Sequence, residues 1–70
     1  MNRRDEYVTI TATLTARTDR AAQLSNSDAI GWVPRSCMHF MSDKAVAEAA
    51  IGDELELRIM EWIADERGFI

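Results

Sequence analysis

The chain has 70 residues, 47% of them hydrophobic, and a formal charge of −4. That is one domain, too apolar to be a disordered segment, with a core that is feasible but thin. Its one cysteine, Cys37, excludes an internal disulfide, and with a single histidine, His39, it cannot complete a structural zinc site of four Cys/His ligands.

Residues 1–6, Met1-Asn2-Arg3-Arg4-Asp5-Glu6, read as a flexible polar arm unlike a signal peptide, and residues 7–70 as a single small β-rich domain. No stretch approaches the ~20 apolar residues of a membrane span, so a cytoplasmic protein is expected. From Tyr7 to Thr18 the apolar set Val8, Ile10, Ala12, Leu14 and Ala16 alternates with Thr9, Thr11, Thr13, Thr15 and Arg17. Such alternation predicts a long strand with one buried and one wet face. A turn follows near Thr18-Asp19-Arg20, then a weak second strand over Ala21–Leu24. Ser25-Asn26-Ser27-Asp28 is the clearest turn, because all four side chains can bond nearby backbone. Ala29–Val33 is a third strand, which Pro34 stops or marks as an edge.

Ser36–Phe40 is ambiguous: a helical turn capped by Ser36, or a short strand with Met38 and Phe40 inward. Ser42-Asp43 then opens a helix over Lys44–Ile51 that ends at Gly52, with Val46, Ala49 and Ala50 on one face. Glu54–Met60 alternates again with Leu55, Leu57 and Ile59 inward, and predicts the last strand. Glu61–Arg67 reads as a short terminal helix stopped by Gly68, with Phe69 and Ile70 folding back onto the core. The expected class is α+β, mostly antiparallel β. It is a small partly closed β-barrel or curled sheet of about four to five strands, with a short middle helix and a short C-terminal helix.

Chemistry-bearing groups are sparse. Cys37 and His39 would face the same way in a strand, but no third group or pocket can be assigned, and a buried packing cysteine is the simpler reading. Glu54 and Glu56 share a strand face, yet nothing supplies a substrate cleft for paired-carboxylate chemistry. The threonine stripe is confined to one strand, unlike an ice-binding array, and β-propensity on a wet face explains it. Neither a catalytic set, a metal site nor a cofactor is expected. Trp32 and Trp62 are the two large anchors, both expected mostly buried in so small a domain.

Charge is unevenly placed. Residues 1–42 hold five Lys/Arg against four Asp/Glu, and residues 43–70 hold three against eight, so the balances are +1 and −5. An acidic half disfavours direct nucleic-acid binding and suits a meeting with a basic surface. Trp32-Val33-Pro34-Arg35-Ser36, Ile51-Gly52-Asp53-Glu54-Leu55-Glu56-Leu57 and Glu61-Trp62-Ile63-Ala64-Asp65-Glu66-Arg67-Gly68-Phe69-Ile70 together resemble a group of short proteins encoded by bacteriophages and prophages. Where many of that group have proline before the Glu-Trp pair, this chain has Met60, which implies a less rigid corner. The resemblance implies a protein that occupies a surface on a host machine, as anti-CRISPR proteins do.

The expected function is a non-enzymatic inhibitor in the cytoplasm of a bacterial host. It would bind a host protein or ribonucleoprotein effector and block DNA access through Asp53, Glu54, Glu56, Glu61, Asp65 and Glu66, with Trp62 as an anchor; a homo-oligomer is compatible with this. The alternative is a phage accessory protein that binds single-stranded nucleic acid through Arg17, Arg20, Trp32 and Arg35. An enzyme built on Cys37 and His39 ranks third.

Overall fold

The computed structural model describes residues 6–70. The expected arm lies outside the described residues except for Glu6. That residue is tied down, its carbonyl accepting a hydrogen bond from the Glu61 amide at 2.8 Å.

The alternating segments form β1 (Tyr7–Arg17), β2 (Ala21–Ser25), β3 (Ile30–Pro34) and β4 (Glu54–Met60). They make one antiparallel sheet in the order β3-β2-β1-β4. Of the two expected forms it is the open, curled sheet; it does not close into a barrel. The cause lies in β1, whose residues 7–13 pair with β4 while residues 13–17 pair with β2. The flanking strands are therefore staggered along β1. Only the row Ile30–Ser25–Thr13–Glu54 crosses all four strands, and the edges β3 and β4 never meet. The turns fall where polar side chains can hold them. The Thr18 hydroxyl accepts from the Ala21 amide at 3.0 Å, and the Asn26 side-chain oxygen accepts from the amides of Asp28 and Ala29 at 2.9 and 3.0 Å.

One face of the sheet carries Ile10, Ala12, Leu14, Ala22, Leu24, Val33, Leu57 and Ile59, all buried. Over it lie α1 (Phe40–Glu48), which contributes Val46, and α2 (Glu61–Glu66), which contributes Ile63 and Ala64. Phe69 completes the cover, as expected of the tail, while Ile70 stays exposed. Each fully buried Leu, Ile or Val stabilises the fold by about 1.5–3 kcal/mol.

β1 departs from its sequence alternation at one point. Leu14 pairs with Leu24 but Ala16 pairs with Gln23, so Thr15 is an extra residue, a β-bulge. The Thr15 hydroxyl lies 3.0 Å from both the backbone and the side-chain oxygen of Gln23. Because strand sides alternate, one inserted residue exchanges the faces beyond it. Ala16, expected in the core wall, moves to the outer face, and Arg17, expected on the wet face, moves to the helix side. There its Nη1 donates to the carbonyls of Val46 and Ala49 at 2.7 and 2.6 Å, at the C-terminal end of α1.

α1 also differs from its expected range of Lys44–Ile51. It starts at Phe40, with His39 as N-cap: Nδ1 accepts from the Met41 amide at 3.2 Å. Ser42 cannot cap, because its hydroxyl is committed to the sheet; it accepts from the Arg58 amide at 2.7 Å and is buried. Phe40, one of the two candidates for an inward position, is 71% exposed on the first turn, whereas Met38 is buried and bridges to Ile59. The helix stops at Glu48, with Ala49 half-buried and Ala50 exposed. Gly52 serves the turn into β4 instead, at φ 102°, a conformation that glycine adopts without a Cβ penalty.

Candidate interaction surface

Both helices pack on one side of the sheet, so the opposite, outer face is open. Register places Thr9 opposite Arg58, Thr11 opposite Glu56 and Thr13 opposite Glu54. Glu54, Glu56 and Arg58 are all exposed there. Glu54 and Glu56 lie two residues apart on one strand, about 6.7 Å along it. Asp53 precedes them in the turn, where its Oδ2 accepts from the Ala50 amide at 3.0 Å. Glu54 and Glu56 form a short acidic stripe on the outer face at the start of β4, whereas Asp53, opposite the inward Leu14, directs its carboxylate to the Ala50 amide and away from that face.

The other expected partner-binding residues belong to a different part of the molecule. Glu61, half-buried, opens α2 at the far end of β4. Trp62 is half-buried against the core, with its indole Nε1 3.4 Å from the Met60 sulfur. Asp65 and Glu66 are exposed on the helical layer, and Glu66 Oε1 pairs with Arg67 Nη1 at 3.0 Å. The seven residues therefore divide into a β4 group and an α2 group, with Arg58 between them in sequence and on the same outer face as Glu56.

The alternative set is also divided. Arg17 holds the end of α1, and Arg35 Nε pairs with Asp43 Oδ1 at 2.6 Å. Arg20 is exposed in the first turn. Trp32 is 41% exposed on the outer face of β3, against the expectation of a mostly buried ring. The reason is parity: Val33 points into the core, so Trp32 must point out. Ile30, two residues earlier, is 62% exposed on the same face.

Cys37 ends a single 3₁₀ turn (Arg35–Cys37) and packs in the core. His39 lies outside that core, its ring edge-on to Tyr7 at 5.4 Å and tilted against Phe40 at 4.5 Å. The Arg58 guanidinium sits 5.8 Å over the Tyr7 ring. This aromatic cluster, in which Phe40 is exposed and Tyr7 and His39 are half-buried, escaped sequence reasoning, because it joins β1, β4 and the start of α1 and has no local spacing. Among the described residues, no group of three or more His, Cys, Asp or Glu side chains is gathered to hold a metal ion, and no helix is long and apolar enough to cross a membrane. Comparison with protein-family models, with curated proteins and with solved structures gives no match.

Proposed function

We propose that this chain is a non-enzymatic interaction module of the anti-CRISPR type, phage-derived and acting in the cytoplasm of a bacterial host. Its target is the basic, nucleic-acid-binding surface of an effector complex, from which it displaces DNA. The supporting observation is the placement of Glu54 and Glu56 side by side on an uncovered sheet face. A rigid strand presents carboxylates in fixed register, so little ordering is needed when they meet Lys and Arg. The α2 group, Glu61, Trp62, Asp65 and Glu66, serves as a second contact region for a partner large enough to reach both.

The single-strand-binding alternative keeps Trp32 as an exposed stacking surface. It is the weaker reading, because the guanidiniums of Arg17 and Arg35 are engaged within the fold. Co-purification from bacterial lysates containing CRISPR effectors, with nuclease-treated samples in parallel, separates the two. The proposal expects a nuclease-resistant effector subunit in the eluate. Recovery of nucleic acid with no effector protein would overturn it in favour of the alternative.

A further inference from the structure

We infer that the edge of β3 pairs antiparallel with the β3 edge of a second copy of this chain, with Gly31 on the two-fold axis. The inference is independent of the acidic-stripe reading and starts from the backbone. The Asn26 amide donates to the Ala29 carbonyl and the Arg35 amide to the Arg20 carbonyl. In the β2–β3 register these bonds put the hydrogen-bonded rungs at Gly31 and Val33. Ile30, Trp32 and Pro34 therefore direct their backbone groups away from β2, towards solvent. Arg67 Nε, donating to the Trp32 carbonyl at 2.9 Å, reaches it from that side.

The two edges of the sheet are guarded unequally. On β4 the Arg58 amide and carbonyl are taken by Ser42 and His39, and Glu54 and Glu56 add charge. β3 reads Ile30-Gly31-Trp32-Val33-Pro34, with no charged residue of its own; the one charge beside it is Arg67, whose stem packs at Gly31 and whose Nε takes one lone pair of the Trp32 carbonyl. An apolar edge with outward backbone groups is a template for strand pairing.

The self-pairing register follows from the residues. With Gly31 opposite Gly31, Ile30 of each copy lies opposite Trp32 of the other. The Ile30 amide donates to the Trp32 carbonyl and the Trp32 amide to the Ile30 carbonyl, twice over by symmetry. The two exposed apolar side chains cover each other on one face. Pro34, which has no amide hydrogen, falls opposite Asp28 and outside these rungs. Ser27 falls opposite Arg35, which brings Asp28 of one copy beside Arg35 of the other at both ends. The bond from Arg67 uses one lone pair of the Trp32 carbonyl and leaves the second for the rung. Pairing makes an eight-stranded sheet with the β4 stripes of both copies at its outer margins and on the same side. A target would then meet two acidic stripes instead of one.

Five residues of edge bury well under the ~800 Å² per partner of a stable interface, so the pairing is weak and needs high-micromolar protein. Sedimentation velocity and amide NMR from about 10 µM to about 1 mM, a range that brackets weak dissociation constants, test it. The sedimentation coefficient is expected to rise with concentration, with shifts confined to amides from Ile30 to Val33 and their β2 neighbours. Ile30→Lys and Trp32→Lys, both at exposed positions, are expected to abolish the rise, and Glu56→Lys to preserve it. A wild-type chain that stays monomeric at ~1 mM overturns the inference. So does self-association that survives Ile30→Lys, or concentration-dependent shifts that map to β4.

Discussion

Replacing Arg17 with Met keeps most of the aliphatic stem and removes the guanidinium that closes α1. Two carbonyls at the helix end, those of Val46 and Ala49, then lose a donor at 2.7 and 2.6 Å. A hydrogen bond from a charged donor contributes roughly 1.5–3 kcal/mol, and a cation at a helix C-terminus roughly 0.3–1 kcal/mol. Both bonds share one nitrogen, and the one to Ala49 is exposed, so their values do not simply add. A loss of about 2–3 kcal/mol is the expected result. Against the roughly 4–10 kcal/mol of total stability typical of this size, that is a substantial fraction. The last turn of α1 has no basic residue of its own, so nothing local substitutes. Urea unfolding followed by circular dichroism gives the magnitude, and thermal unfolding should show a fall in Tm of about 10–20 °C. Hydrogen exchange adds the location: the Ala49 amide, which donates to Ala45 at 3.0 Å, should lose protection before the sheet does. Arg20→Met, at an exposed turn position, is the control and should change stability by less than about 0.5 kcal/mol. A loss below about 0.5 kcal/mol for Arg17→Met as well would refute the claim that this arginine holds the end of α1.

Three further changes probe other parts of the fold. Phe69→Ala should cost about 3–5 kcal/mol in denaturant unfolding, because Phe69 is buried in the core cluster; a neutral result would show that the tail does not seal the core. Gly52→Ala places a Cβ at φ 102° with open space around it, so any loss, about 1–2 kcal/mol, comes from backbone conformation alone; an unchanged midpoint would contradict the turn geometry. Met60→Pro keeps the φ of −60° already present but removes an amide that, in the Met38–Ile59 bridge, faces the Cys37 carbonyl; it should therefore lower stability by about 1 kcal/mol, and an unchanged or raised Tm would refute that reading of the corner.

Particular residues show how far the sequence carries. Val8 to Leu14 and Leu55 to Ile59 alternate, and both runs lie as their alternation requires, because burial of one face specifies strand register strongly. Beyond Leu14 the alternation continues unbroken in the sequence while the chain itself shifts by one. Nothing local marks the bulge at Thr15, whose consequence for Arg17 depends on a helix about 30 residues away. α1 begins four residues early for a similar reason: Ser42 is a good cap in isolation, and the edge of β4 claims its hydroxyl. The exposure of Trp32 was accessible to parity counting once Val33 was placed in the core; size alone pointed to burial. Of the candidate surface, Glu54 and Glu56 were legible as neighbours because strand periodicity relates them, and the same periodicity separates Asp53 from them. Glu61, Trp62, Asp65 and Glu66 were grouped with them by sequence charge, and the reversal of the chain at Met60 sets them apart.

The central claim is that the β4 stripe meets a basic surface and competes there with DNA. The direct measurement is competition: labelled target DNA bound to a purified CRISPR effector recovered by co-purification, titrated with the wild-type chain and with Glu54→Lys/Glu56→Lys. Wild type is expected to displace the DNA, and the double reversal to need about 100-fold more protein, since it replaces two attractions with two repulsions. Equal displacement by both proteins, with the variant shown to be folded, would contradict the account.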